Sequence, residues 1–196
     1  LMGCETFAPT ELEEYELLDG PIDGLSHAEA RRFVDGDIAF NDQIFTAETG
    51  LGPVFTGTSC VSCHAGDGKG HPFNQFIQGG PQLQNKALPG YEPETLPEGA
   101  PHATFLAPAV TGLGYFDAVT DAYLLDLEAE QAANDDGING KVHWNTIPDY
   151  VTLRPTAITR DGKNITRFGK KASVYDLLQQ TADAYNQDIG ITSFYE

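Results

Sequence analysis

The sequence is short of several things. In 196 residues there is one methionine, one tryptophan and three cysteines, and 11 lysines and arginines stand against 29 aspartates and glutamates. The lone methionine is Met2, so the body of the chain has no thioether to offer a soft metal. Three cysteines are too few for a disulfide-stapled scaffold. The deficit of cations leaves a net charge of −18, which repels phosphate backbones and makes nucleic acid a poor candidate partner, while a basic protein partner or simple solubility remains open. No apolar run approaches the roughly 20 residues needed to cross a bilayer as a helix. What is present suffices for a folded unit: 40% hydrophobic and 10% aromatic residues can build a core, and the length suits one domain.

Residues 1–24 are acidic, carry Pro9, Pro21, Gly20 and Gly24, and read as an N-terminal tether. At its start, Leu1-Met2-Gly3-Cys4 is similar to a lipobox, in which a signal peptide is cut before a cysteine that then carries lipid. The competing account is a chance match on an unstructured terminus. Residues 25–196 read as one domain. Ser26 and Glu29 form a capping box, followed by an apolar series Phe33, Val34, Ile38, Phe40, Ile44 and Phe45. Thr120 can cap a helix that fades near Asn134, and Ser173 and Asp176 open a last helix with Val174, Leu177, Leu178, Ala184 and Tyr185 on one face. Residues 49–115 are rich in glycine and proline and show little periodicity, which suits a long segment wrapped around a site. The expected fold is mainly α, with long irregular loops and few or no short strands; segments 141–144 and 150–158 are the ones that could pair.

The chemistry is concentrated in Cys60-Val61-Ser62-Cys63-His64. Cys-x-x-Cys-His is the attachment signature of c-type haem. Two thiols three positions apart reach the two vinyl groups on one edge of a porphyrin, and the adjacent imidazole is held as an axial ligand to iron. A zinc site would need more soft ligands, and after Cys63 only His71 and His102 are near enough in sequence to serve. A thioredoxin-like pair would need a βαβ context, which the pattern lacks. The motif therefore predicts one covalent haem c on Cys60 and Cys63 with iron on His64. Because such attachment takes place outside the cytoplasm, it predicts an exported, periplasmic protein and supports a lipid on Cys4 as a membrane anchor. For the second axial position, methionine is excluded by Met2's place. His102, ahead of Phe105-Leu106-Ala107-Pro108, ranks first, against an open position or one filled by Tyr, Lys or water.

Around this motif, Leu51-Gly52-Pro53-Val54-Phe55 and Gly68-Lys69-Gly70 resemble the di-haem oxidoreductase family, relatives of bacterial di-haem cytochrome c peroxidases. The likeness continues in order through residues 80–90, Ala107–Phe116, Asp135–Gly140, Arg167–Ala172 and Asp188–Ser193. The resemblance implies a cytochrome c-like haem domain, the first of two, because the family's second Cys-x-x-Cys-His would follow the Gly190-Ile191-Thr192-Ser193 block. It also implies that a second haem domain is a natural redox partner, and it raises peroxidase activity as an alternative to simple electron transfer. A structural subunit of a redox complex is a third reading.

Two further groups invite a role. Arg167, with Lys170 and Lys171, can pair with haem propionates, since arginine binds carboxylates bidentately. Asp135, Asp136 and Asn139 could offer oxygens to Ca²⁺, though without the closing Glu of an EF-hand, and a polar turn satisfied by its own side chains is the stronger account.

Overall fold

The computed structural model describes residue 18, residues 20–70, the backbone of 75–78 and residues 82–195. Met2, the lipobox at Leu1–Cys4 and His71 lie outside the described residues.

The first helix, α1, spans His27–Asn41. Its start is the expected capping box: the Ser26 N–H donates to Glu29 Oε2 at 2.8 Å and the Glu29 N–H to Ser26 Oγ at 3.4 Å. Phe33, Gly36, Asp37 and Phe40 repeat at helical spacing on its inner face, whereas Val34 and Ile38, grouped with them in the sequence, are exposed. Helix α2 (Leu113–Asp117) is short. Helix α3 (Asp121–Ala133) begins where Thr120 Oγ1 accepts the Tyr123 N–H at 3.2 Å and stops at Asn134. Helix α4 (Leu177–Ile189) starts after Asp176, whose carboxylate accepts the Gln179 N–H at 2.8 Å. Ser173 instead closes a 3₁₀ turn, Lys170–Ala172, and Val174 bridges to Phe168 before the helix begins.

The expectation of few or no strands needs correction. Among the described residues there are three small antiparallel sheets, so the architecture is mixed α and β. β1 (Val54–Phe55) pairs with β3 (Lys86–Ala87), and β2 (Gln75–Gln78) with β4 (Ala103–Leu106). In the third sheet the central strand β7 (Lys163–Thr166) lies between β5 (His143–Asn145) and β6 (Thr159–Arg160). These strands are two to four residues long, too short for alternation to stand out in a sequence. Segment 141–144 does pair, through β5.

One core cluster places the site. Leu51, Phe55 and Ile189 are buried against Phe45, Leu88, Tyr185 and Ile191, and the Phe45 and Tyr185 rings meet edge to face at 5.7 Å. The C-terminal carbonyls of α4 are taken up by the segment ahead of the cysteines and by Gln84 beyond them. Gly52 N–H donates to Ile189 O at 3.1 Å, Thr56 and Gly57 N–H to Asp188 O at 2.7 and 3.0 Å, and Gln84 Nε2 to Asn186 O and Gln187 O at 3.0 and 2.9 Å. The approach is so close that a β-carbon on Gly52 would collide with the Gly190 carbonyl, and one on Gly190 with the Val54 carbonyl. Gly190 also holds φ at 72°, the left-handed conformation that ends many helices.

Candidate functional site

Residues 60–64 form a single helix-like turn. His64 N–H donates to Cys60 O at 2.9 Å and Cys63 N–H to the same oxygen at 3.1 Å, so the two thiols three positions apart project on one side. Ser59, buried, braces the turn: its Oγ accepts the Ser62 N–H at 3.2 Å and its carbonyl accepts Ser62 Oγ at 2.6 Å. Both cysteines are free thiols, half-buried, and burial pushes both upward from their ordinary pKa.

His64 is oriented by a partner 44 residues away. Its Nδ1 lies 2.9 Å from the carbonyl oxygen of Pro108, and that carbonyl requires the nitrogen to be the protonated one. Nε2 is thereby left with its lone pair, the form in which imidazole binds a metal. Burial also pushes the imidazole pKa down, which favours the neutral ring, although the Pro108 contact opposes this. The segment carrying Pro108 is held to the cysteine loop, where Val110 N–H donates to Gly68 O at 2.8 Å. Phe40 from α1 packs beside the imidazole, its ring centroid 6.2 Å from that of His64.

These groups border a cavity of about 530 Å³, within the usual range for cofactor pockets. Cys60, Cys63 and His64 form one part of its wall, the inner face of α1 another, and Val110 to Gly114 a third. The last wall is α4, through Leu177, Thr181, Ala184, Tyr185 and Asp188 at spacings of four, three, one and three. Five lining residues, Gly36, Gly57, Gly68, Gly112 and Gly114, are glycines, so backbone borders the space at several points and a broad flat ligand can approach closely. The wall is otherwise mainly apolar. Four charged residues also line it, Arg32, Asp37, Asp67 and Asp188, and burial raises the Asp188 carboxyl from an ordinary 3.8 to about 6. Two thiols on one side of a turn, an imidazole with a free Nε2 and a wide, largely apolar cavity fit a covalently held haem.

The other residues singled out in the sequence lie elsewhere. His102 is exposed, its Nδ1 3.2 Å from the carbonyl of Ala100, and it is not part of the cavity wall. Among the described residues His64 is the one imidazole on that wall. Arg167 is buried and directed at Asp121, to which it is ion-paired; it also donates to the Val119 carbonyl and borders a separate pocket of about 220 Å³. Lys170 lies over the Phe105 ring, its Nζ 4.9 Å from the centroid. In the acidic turn, Asp136 Oδ1 accepts the Ile138 N–H at 2.9 Å, and no cluster of three or more carboxylate, imidazole or thiol groups suited to a metal occurs among the described residues.

Two contributors to the site went unnoticed in the sequence. The Pro108 carbonyl is backbone and carries no side-chain signature. Asp188 was legible in principle, since it continues the face of Leu177, Ala184 and Tyr185 to the end of α4. The buried Asp121–Arg167 pair and the neighbouring Arg154–Asp117 pair join α2 and α3 to the segments at 154 and 167, partners too far apart in sequence for any local pattern to connect.

Comparison with known proteins returned no match among curated proteins and none among solved structures. The C-terminal part of the chain, residues 103–195, which supplies Pro108, the wall from Val110 to Gly114 and all of α4, matches the family model described as "Di-haem oxidoreductase, putative peroxidase".

Proposed function

We propose that this chain is an exported c-type cytochrome domain that carries one haem and passes electrons to or from a redox partner. Haem is attached through thioethers from Cys60 and Cys63, with iron bound by His64 Nε2. The observation that carries this reading is the Pro108–His64 contact inside a cavity walled by both cysteines: it fixes the imidazole, chooses its tautomer and faces it into a space of cofactor size. Bound haem supplies a one-electron ferric/ferrous couple, and the chain sets its potential and exposure. His64 is held against rotation by Pro108. The apolar wall lowers the local dielectric, and Asp188 supplies negative charge when ionised, which favours the oxidised state. The excess of acidic residues suits a basic docking partner, and a second haem domain fits the family.

A peroxidase reading stands beside this one because, among the described residues, no second imidazole or amine borders the cavity as a sixth ligand. The test is co-expression with a cytochrome c maturation system, followed by mass spectrometry of the denatured chain. The expected result is one haem retained covalently by the wild type, with thioether attachment lost in a C60A/C63A double variant. A chain that leaves the system without covalent haem overturns the proposal. The spin state of the loaded protein separates the two readings: low-spin iron indifferent to peroxide supports a carrier, and high-spin iron that responds to it supports an enzyme. The lipid anchor is tested at the native N-terminus, where an unmodified chain that retains Leu1 would remove it.

A further inference from the structure

We propose that Arg32 is the haem propionate anchor of this pocket, an assignment that rests on the haem-binding reading above. The argument begins with the direction of α1. Phe40 packs by the His64 ring, and Arg32 lies on the same inner face two turns and more towards the N-terminus. Eight residues of helix place the two Cα positions about 12 Å apart. Arg32 therefore stands at the end of the cavity remote from the turn that bears Cys60, Cys63 and His64. In haem the two propionates leave the macrocycle on the edge opposite the pyrroles that bear the vinyl groups, so fixing the vinyl edge on the cysteines sends the carboxylates towards that remote end.

Charge selects the same end. Among the described residues lining the cavity, Arg32 is the one lysine or arginine, against three carboxylates, Asp37, Asp67 and Asp188. Asp188, near the end of α4, is close enough to influence both thiols, so the cysteine end already carries an acid of its own. A guanidinium matches a carboxylate with two parallel hydrogen bonds and keeps its charge at any accessible pH. Among the ion pairs of the described residues Arg32 has no acidic partner, and its charge is felt by Glu29, one turn away. Arg167, the other arginine suggested for this task, is already committed to Asp121.

The experiment compares haem-loaded wild type with Arg32→Gln and Arg32→Lys, and with Lys163→Gln as a control for loss of an exposed charge elsewhere. Three properties are read: the midpoint potential across pH, its dependence on ionic strength, and the propionate bending band in the resonance Raman spectrum. Arg32→Gln is expected to lower the potential, to shift a propionate titration upward and to move the propionate band. Arg32→Lys should restore the potential in part but leave the band displaced, because a lysine keeps the charge without the bidentate geometry. Should Arg32→Gln fail to fold, the Arg32→Lys band alone decides. Covalent haem with potential, pH profile and band in Arg32→Gln matching the Lys163→Gln control overturns the anchor while leaving haem binding intact. A wild type that takes up no haem overturns the underlying reading instead.

Discussion

Asn in place of Asp188 removes a charge that the fold carries at a cost, and the size of that cost can be worked out. The carboxyl is shifted from 3.8 to about 6 because α4 turns it into the cavity wall among Tyr185, Ile189 and the cysteine turn. Two pKa units at about 1.4 kcal/mol each give roughly 3 kcal/mol, and partial contact with solvent reduces this to about 2 kcal/mol. The sign follows from when the group is charged. Below about pH 4 it is protonated in the folded and unfolded chains alike, and burial opposes nothing. As pH rises through about 6 the folded protein must ionise it inside the wall, and the stability present at low pH is lost. D188N has no such loss. Urea denaturation of both proteins at about pH 4 and about pH 7.5 should show the variant gaining about 2 kcal/mol on the wild type between the two conditions, while all other titrating groups cancel. A gap that stays the same at both pH values, or one that moves against the variant at pH 7.5, refutes the reasoning.

Other substitutions probe the frame. Gly190→Ala places a β-carbon against the Val54 carbonyl at a left-handed φ of 72°, and should cost about 3 kcal/mol or more, read as a lowered urea midpoint; a loss under about 1 kcal/mol would mean that the junction between α4 and the cysteine segment is slack. Asp121→Asn strands the Arg167 guanidinium, whose side chain is 2% exposed, and should cost about 3–5 kcal/mol, whereas an Asp121→Leu/Arg167→Met double variant should recover much of that loss in the same assay. Gln84→Ala removes two hydrogen bonds to the end of α4 and should cost about 1–2 kcal/mol, checked by urea denaturation at neutral pH.

What could be read from the sequence was local. Ser26 with Glu29, Thr120 and Asp176 each mark a helix start because a cap is decided within three residues. Cys60, Cys63 and His64 are likewise decided by spacing along a single turn. The remainder depends on partners far along the chain. His64 meets Pro108 across 44 positions, and Arg167 meets Asp121 across 46, so the arginine assigned from its residue type to a propionate was already occupied by an acid no nearby pattern pointed to. Val34 and Ile38 look like core in composition but face outward, because the inner face of α1 is set by Phe33, Asp37 and Phe40. The short strands escape for a related reason: two to four residues do not establish a period.

The way α4 is capped has a consequence for manufacture. The wall of the pocket is made more than a hundred positions after the cysteines, and its terminal carbonyls close only when Gly52, Thr56, Gly57 and Gln84 are folded back onto them. Until residue 190 has emerged and returned, Cys60 and Cys63 have no such cover. Contacts of this range close slowly, since the intervening loop must first give up its freedom. The growing chain thus leaves both thiols without that cover for a period, before the last helix closes the wall.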